Sequence, residues 1–182
     1  HKEYHETEFS KKGGPMEFVQ LWVNLPKENK SVEPHYQALT KDMMGEVVLE
    51  NNAGKVNIIA GEFNGITGPA KTYTPVNIIN FHLNKNGNAK ANIPISHNTA
   101  LVVINGDVQV NDAEVPEYSF VLFENEGEDI EITATTDSVV LLLSGEPINE
   151  PIASYGPFVM NTQDEIHEAI RDFQEGKFGV LE

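Results

Sequence analysis

The chain has 182 residues, of which 40% are hydrophobic, so it can bury a packed core. The net charge of -16 disfavours direct binding to nucleic acid, where clustered Lys and Arg supply most of the affinity. Because the chain has no cysteine, a metal would need His and carboxylate ligands. No apolar stretch reaches the roughly 20 residues of a membrane helix, and no signal peptide is recognisable. We therefore expect a soluble protein that binds no membrane and is cytoplasmic, or also nuclear in a eukaryote.

Short apolar runs separated by turn signals predict an all-β domain in the middle of the chain. They recur at roughly the 8–12-residue spacing of a sandwich or barrel. The predicted strands are 18–25, 45–49, 56–60, 76–83, 101–104, 120–123, 130–134 and 139–143. The continuous apolar run 139–143 indicates a strand buried on both faces. The dipeptide Asn105-Gly106 predicts a two-residue hairpin that joins 101–104 to 107–110.

One amphipathic helix is predicted near the end of the chain, over about residues 162–175. Thr162 and Glu165 have the spacing of a capping box, and Gly176 is a natural C-terminal stop. An apolar stripe at helical spacing lies between them, formed by Ile166, Ala169, Ile170 and Phe173. By sequence alone, the simplest expectation is that this stripe packs on the preceding β domain.

The strongest candidates for metal ligands are His1, Glu3 and His5. Residues two apart on a strand point to the same face, so His1 and Glu3 can reach one metal ion. Imidazole and carboxylate ligands with open coordination positions are typical of non-haem Fe(II) sites. By spacing alone, a solvated charged terminus is the commoner interpretation of this triplet. The remaining histidines form no second site by spacing; they are His35, His82, His97 and His167.

The Pro-rich segment 26–34 is typical of a connection, and we place a domain boundary near residue 40. A first unit of about 40 residues is too short for an independent core, so we expect that its other half is missing. The predicted organisation is a remnant of a first barrel over 1–40, a complete second barrel over 41–150, and a tail with the helix over 151–182.

Several stretches of the chain resemble the pirin family. Residues 20–26 (QLWVNLP) are similar to the strand that closes the first barrel of pirins. Residues 154–162 (SYGPFVMNT), followed by the helix and by 176–179 (GKFG), resemble the C-terminal signature of the family. Residues 59–62 (IAGE) and 145–151 (GEPINEP) also match in order and spacing. The resemblance runs from His1 to about Gly179.

Membership of this family would imply a bicupin, with two β-barrels of the double-stranded β-helix (jelly-roll) type. The first barrel of a pirin binds one iron through three histidines and one glutamate, and the second barrel has lost its ligands. His1 and Glu3 match the final His-x-Glu ligand pair of the first barrel, whereas His5 matches no ligand position. The upstream His-x-His pair of the family has no counterpart in this chain. We therefore expect a partial first barrel, a metal-free second cupin barrel and a C-terminal helix.

Three functions remain open at this point. The resemblance implies quercetin 2,3-dioxygenase activity in the intact protein, with Fe(II) or another divalent metal and a flavonol-like substrate; no catalytic residue is assigned in this chain. The alternative is a non-enzymatic, iron-dependent regulator that binds a transcription factor or a metabolic enzyme, because the acidic charge suits a basic protein surface. A metal-free jelly-roll module that binds a sugar or another ligand would explain the barrel but neither the first 25 residues nor the helix.

Overall fold

A computed structural model describes residues 6–179 of the chain. The chain divides into two compact units. The larger unit consists of residues 31–149, and the smaller unit combines 6–30 with 150–179.

The larger unit is a sandwich of two antiparallel sheets. Its strands are β1 (Gly45–Val48), β2 (Gly54–Ala60), β3 (Glu62–Phe63), β4 (Ile66–Thr67), β5 (Val76–Leu83), β6 (Asn88–Asn92), β7 (Asn98–Asn105), β8 (Val108–Val110), β9 (Ala113–Val115), β10 (Phe120–Leu122), β11 (Asp129–Ala134) and β12 (Ser138–Gly145). One sheet has the order β1-β2-β5-β12-β7-β10 and the other β6-β11-β8-β9, while β3 and β4 form a small hairpin. Single 3-10 turns, Lys41–Met43 and Glu50–Asn52, flank β1.

Alternating side chains from both sheets form one apolar core. The six-stranded sheet contributes Val56, Ile58, Ile79, Phe81, Leu101, Val103, Val140 and Leu142, and the other sheet contributes Ala89, Ala91, Val108, Val110, Ile130 and Ile132. Phe81 is fully buried and meets Phe63 edge to face, with 5.4 Å between the ring centroids. In β12, Leu141 is buried between Val140 and Leu142, so this strand is covered on both faces. This confirms the prediction from the continuous apolar run.

The predicted hairpin at Asn105-Gly106 is wrong. β7 pairs with β10 and β12, whereas β8 pairs with β9 and β11, so the dipeptide is a corner between the two sheets. A two-residue hairpin turn of the common type needs a positive φ at both residues, and only Gly106 has one, of 74°. The carboxylate of Glu117 accepts hydrogen bonds from the Asn105 side chain and the Gly106 N–H, which stabilises the corner.

The predicted strand 18–25 is also wrong, because no regular element is assigned to it. A β-strand is defined by its ladder, and no strand within residues 6–179 pairs with this run. Several of its apolar side chains are exposed, namely Phe18, Val19, Leu21, Trp22 and Val23. Apolar content alone therefore did not specify a paired strand here.

The smaller unit contains two helices and one hairpin. These are α1 (Thr7–Lys12), β13 (Ala153–Tyr155), β14 (Phe158–Met160) and α2 (Gln163–Gln174), with a 3-10 turn at Lys27–Asn29. The capping box at the start of α2 is confirmed, since Thr162 Oγ1 accepts from the Glu165 N–H and Glu165 accepts from the Thr162 N–H. Within the unit, α2 packs on β13 and β14. The helix α1 was not predicted from the sequence, and its first turn is capped by the Glu6 carboxylate.

Candidate functional site

The predicted metal ligands His1 and Glu3, together with His5, lie outside the described residues. Their metal role therefore stays a prediction. Within residues 6–179, no three His, Cys, Asp or Glu side chains come together in a group that could hold a metal ion. The described part of the chain does not, by its own donor set, fit an iron site.

The described barrel contains a row of buried and half-buried polar side chains at one end of the six-stranded sheet. Ser144 lies near the end of β12, and its neighbours in the sheet ladder are Asn77 of β5 and Thr99 of β7. Ser144 and Thr99 are buried, and they alternate with core residues of the same strands, so they face the interior. The row occupies positions where the remainder of each strand places apolar side chains.

His97 joins this row from the residue before β7. Its Nδ1 lies 3.3 Å from Ser144 Oγ, and only 8% of the residue is exposed. Asn77 Nδ2 donates to Ser144 Oγ at 2.9 Å, and Asn77 Oδ1 accepts from the Glu62 N–H at 3.3 Å. Because Ser144 Oγ accepts from Asn77, its own hydrogen is available to His97 Nδ1.

A small cavity of about 40 Å³ lies beside His97. Ile93, Thr99, Phe123 and Ile130 form its walls, and the acidic segment 124–129 forms its rim. A cavity of this size holds one ordered water and is far below the roughly 300 Å³ of a pocket for a drug-sized ligand. The arrangement can orient a water or another small hydrogen-bonding group, but it has no room for a flavonol.

The other histidines are not brought together. His35 is exposed, and its ring meets Tyr73 edge to face at a centroid distance of 6.4 Å. His82 lies in β5, where its Nε2 is 3.2 Å from Asn80 Nδ2, and His167 is on the exposed side of α2. Spacing therefore failed to identify the polar row at His97. The available signal was the polar residues Asn77 and Ser144, which stand at inward positions where the neighbouring inward residues of the same strands are apolar.

A second polar cluster lies inside the smaller unit. The Glu150 carboxylate accepts hydrogen bonds from the Lys27 N–H at 2.8 Å and from Asn161 Nδ2 at 2.9 Å. Asn161 is buried, and its Oδ1 has no hydrogen-bond partner within the described residues. Lys27 Nζ also lies 3.0 Å from Glu165 Oε1 at the start of α2. These contacts join the segment before residue 30 to the hairpin and helix of the same unit.

The sandwich with its closed apolar interior and single C-terminal helix is the architecture of a cupin, which confirms the predicted fold class. Residues 78–179 match the Pirin C-terminal cupin domain, and the chain belongs to the pirin family. In the part of the chain that the structure describes, no helix is long and apolar enough to cross a membrane.

Known relatives match nearly the whole chain. It is 40% identical over 98% of its length to a Pseudomonas aeruginosa protein named "Putative quercetin 2,3-dioxygenase PA2418", of which it covers 62%. It is 36% identical over 91% of its length to human pirin, of which it covers 58%. A crystal structure of quercetin 2,3-dioxygenase from Acinetobacter baumannii superposes with a TM-score of 0.84 and 38% identity, over 88% of this chain and 56% of that one. The chain thus spans about three fifths of the length of these relatives.

Proposed function

We propose that the protein, at the length of its relatives, is an iron-dependent dioxygenase that acts on a flavonol-like substrate. The observation that supports this proposal is the likeness to the Acinetobacter baumannii quercetin 2,3-dioxygenase, at 38% identity and a TM-score of 0.84. The superposed region extends beyond the cupin barrel, because it covers 88% of the chain. Many proteins share the fold without sharing the activity, so the proposal depends on the metal ligands.

In this proposal, His1 and Glu3 supply an imidazole and a carboxylate to the iron. Such ligands suit Fe(II), and a bound iron would supply open coordination positions for substrate or O2. The cavity beside His97 is too small for a flavonol, at about 40 Å³. The substrate is therefore proposed to bind near His1 and Glu3, and not in this cavity.

The test compares Glu3→Gln with Glu17→Gln in protein of the relatives' length. Glu17 is an exposed carboxylate on the same segment and serves as the matched control. Iron per chain is measured by elemental analysis, and quercetin consumption is followed by absorbance. We expect Glu3→Gln to lose both iron and turnover, while Glu17→Gln keeps both. Turnover that survives both Glu3→Gln and chelation would contradict the proposal.

An acidic segment of the barrel favours a second candidate function, binding to a basic surface of a regulatory protein or metabolic enzyme. Glu124, Glu126, Glu128 and Asp129 are exposed within six residues of sequence, on a chain of net charge -16. Complementary charge of this kind raises association rates and selects the partner. The test is a pull-down at physiological salt with the chain and with a variant that carries the four corresponding amides. A partner that binds both forms equally, or no specific partner at all, would exclude this role for the segment.

A further inference from the structure

The chain contains three Asn-Gly pairs, at 64–65, 86–87 and 105–106. An asparagine followed by glycine is the dipeptide most prone to spontaneous deamidation, because glycine has no side chain to hinder attack by its own backbone nitrogen. In the three pairs, the glycine N–H and the asparagine side chain differ in whether hydrogen bonds and packing hold them away from the reaction. These differences predict which of the three asparagines reacts.

The reaction needs no cofactor, oxidant or enzyme. The deprotonated backbone nitrogen of the glycine attacks Cγ of the asparagine, and the side-chain nitrogen leaves as ammonia. The resulting five-membered cyclic imide is then opened by one water molecule at either carbonyl, which gives aspartate or isoaspartate. In total, one water is consumed and one ammonia is released.

The pair Asn86-Gly87 is protected. The Gly87 N–H donates to the Asn84 carbonyl at 2.7 Å, so the attacking nitrogen is held in a hydrogen bond. Gly87 is buried, and a Cβ placed on it would lie 2.1 Å from the Ala53 carbonyl oxygen. The backbone therefore has no space to move toward the asparagine side chain.

The pair Asn105-Gly106 is protected by one carboxylate. Glu117 Oε1 accepts from Asn105 Nδ2 at 2.9 Å and from the Gly106 N–H at 3.2 Å. Both reacting groups are thus held by the same oxygen. A Cβ on Gly106 would also lie 2.3 Å from the Asp137 carbonyl oxygen, which shows how closely this corner is packed.

Neither kind of protection exists at Asn64-Gly65, the turn of the β3–β4 hairpin. Both residues are exposed, and within residues 6–179 neither the Gly65 N–H nor the Asn64 side chain has a hydrogen-bond partner. A Cβ on Gly65 would meet no atom within 4 Å. The hairpin is short, with the pairs Glu62↔Thr67 and Phe63↔Ile66 and one further hydrogen bond from the Gly68 N–H to the Gly61 carbonyl, so the turn itself is held only at its base.

We propose that Asn64 is a spontaneous deamidation site, and that Asn86 and Asn105 are kept as amides by the fold. Aspartate at position 64 tolerates the positive φ of 49° and adds one negative charge to the turn. Isoaspartate instead inserts a methylene into the backbone of a two-residue turn. It would disturb the pairing of Phe63, which is 6% exposed and packs on Phe81 in the core.

The first test is peptide mapping by mass spectrometry after incubation of the folded chain at mildly alkaline pH. Asn64→Gln is the matched control, because its longer side chain would have to form a less favourable six-membered ring. We expect Asn64 to react at least about tenfold faster than Asn86 or Asn105, the factor that corresponds to one hydrogen bond on the attacking nitrogen. In denaturant, all three should react at similar rates. Equal rates at the three sites in the folded chain would overturn the proposal.

The second test removes the protection at the corner. In Glu117→Ala, both reacting groups of Asn105-Gly106 lose their acceptor, so Asn105 should become a second deamidation site. Glu117→Gln keeps an acceptor oxygen and should keep most of the protection. The unchanged rate at Asn86 serves as an internal measure that the barrel is still folded. If Asn105 stays unmodified in folded Glu117→Ala, the hydrogen bonds are not the cause of protection and the proposed mechanism fails.

Discussion

Ser144 Oγ lies 3.3 Å from Nδ1 of His97, and both residues are buried at the same end of the barrel. The serine also accepts a hydrogen bond from Asn77, so one hydroxyl satisfies polar groups from two other segments. Buried polar groups that lose their partner are costly, whereas paired ones contribute modestly. The serine hydroxyl is thus the centre of this polar row.

For this reason, Ser144→Ala is expected to destabilise the barrel by about 1–3 kcal/mol, because Asn77 Nδ2 and His97 Nδ1 both lose the hydroxyl that they contact. The free energy of unfolding is measured by urea denaturation. Ser96→Ala is the control, since Ser96 is exposed in the loop just before His97 and should change stability by less than about 0.5 kcal/mol. Equal effects of the two substitutions would show that the polar row does not stabilise the barrel.

The carboxylate of Glu165 is expected to make the smaller unit sensitive to acid. The ion pair with Lys27 and the N–H groups of Asn161 and Thr162 lower its pKa from the ordinary value of 4.5. A carboxyl with a lowered pKa stabilises the fold above its unfolded pKa, and this stability is lost as the pH falls through the folded pKa. Thermal unfolding of the wild type and Glu165→Gln should therefore differ at neutral pH and converge below pH 4.5.

Glutamine keeps the side-chain oxygen that caps the helix and removes only the charge. The difference in unfolding temperature between the wild type and Glu165→Gln therefore reports on the charge. Glu168→Gln, on the exposed side of the same helix, is the control and should change the unfolding temperature little. Added salt should also reduce the effect of Glu165→Gln at neutral pH. A difference that stays constant from neutral to acidic pH would contradict the assigned role of the carboxylate.

Phe81 is expected to be a major contributor to the core. It is fully buried in β5 and packs on Phe63, so Phe81→Ala should cost about 3–5 kcal/mol through lost burial and a residual cavity. Phe120→Ala, at a site that is 64% exposed on the edge strand β10, should cost well under half as much. Denaturant unfolding of both variants gives the comparison. Similar losses would mean that the core has been assigned to the wrong face of the sheet.

Two glycines with positive φ are expected to differ in their tolerance of a side chain. Gly54 has a φ of 133°, and a Cβ there would lie 2.1 Å from the His82 carbonyl oxygen. Gly65 has a φ of 79° but open space around it. Gly65→Ala should therefore cost only the backbone strain of about 1–2 kcal/mol, and Gly54→Ala should cost more, because β2 must move away from β5. Equal unfolding free energies for the two variants would disprove the close approach at Gly54.

The local patterns identified most elements correctly. The strands β5, β11 and β12, and the helix α2 with its capping box, lie where the apolar periodicities and the Thr162–Glu165 spacing predict them. These signals are local, because alternation and the helical stripe reflect which face of a single element is buried. The resemblance of the C-terminal signature to pirins likewise depends only on contiguous residues, and the family match confirms it.

The sequence alone was thus sufficient for the all-β class, the helix and the family. The tertiary structure decided which sheet each strand joins, which is why Asn105-Gly106 is a corner and the run 18–25 is no strand. It also decided that His97 meets Ser144, 47 residues away, and that Glu117 holds Asn105-Gly106 while Asn64-Gly65 stays open. The physical reason is that partners and accessibility depend on packing between distant segments, which no local periodicity encodes.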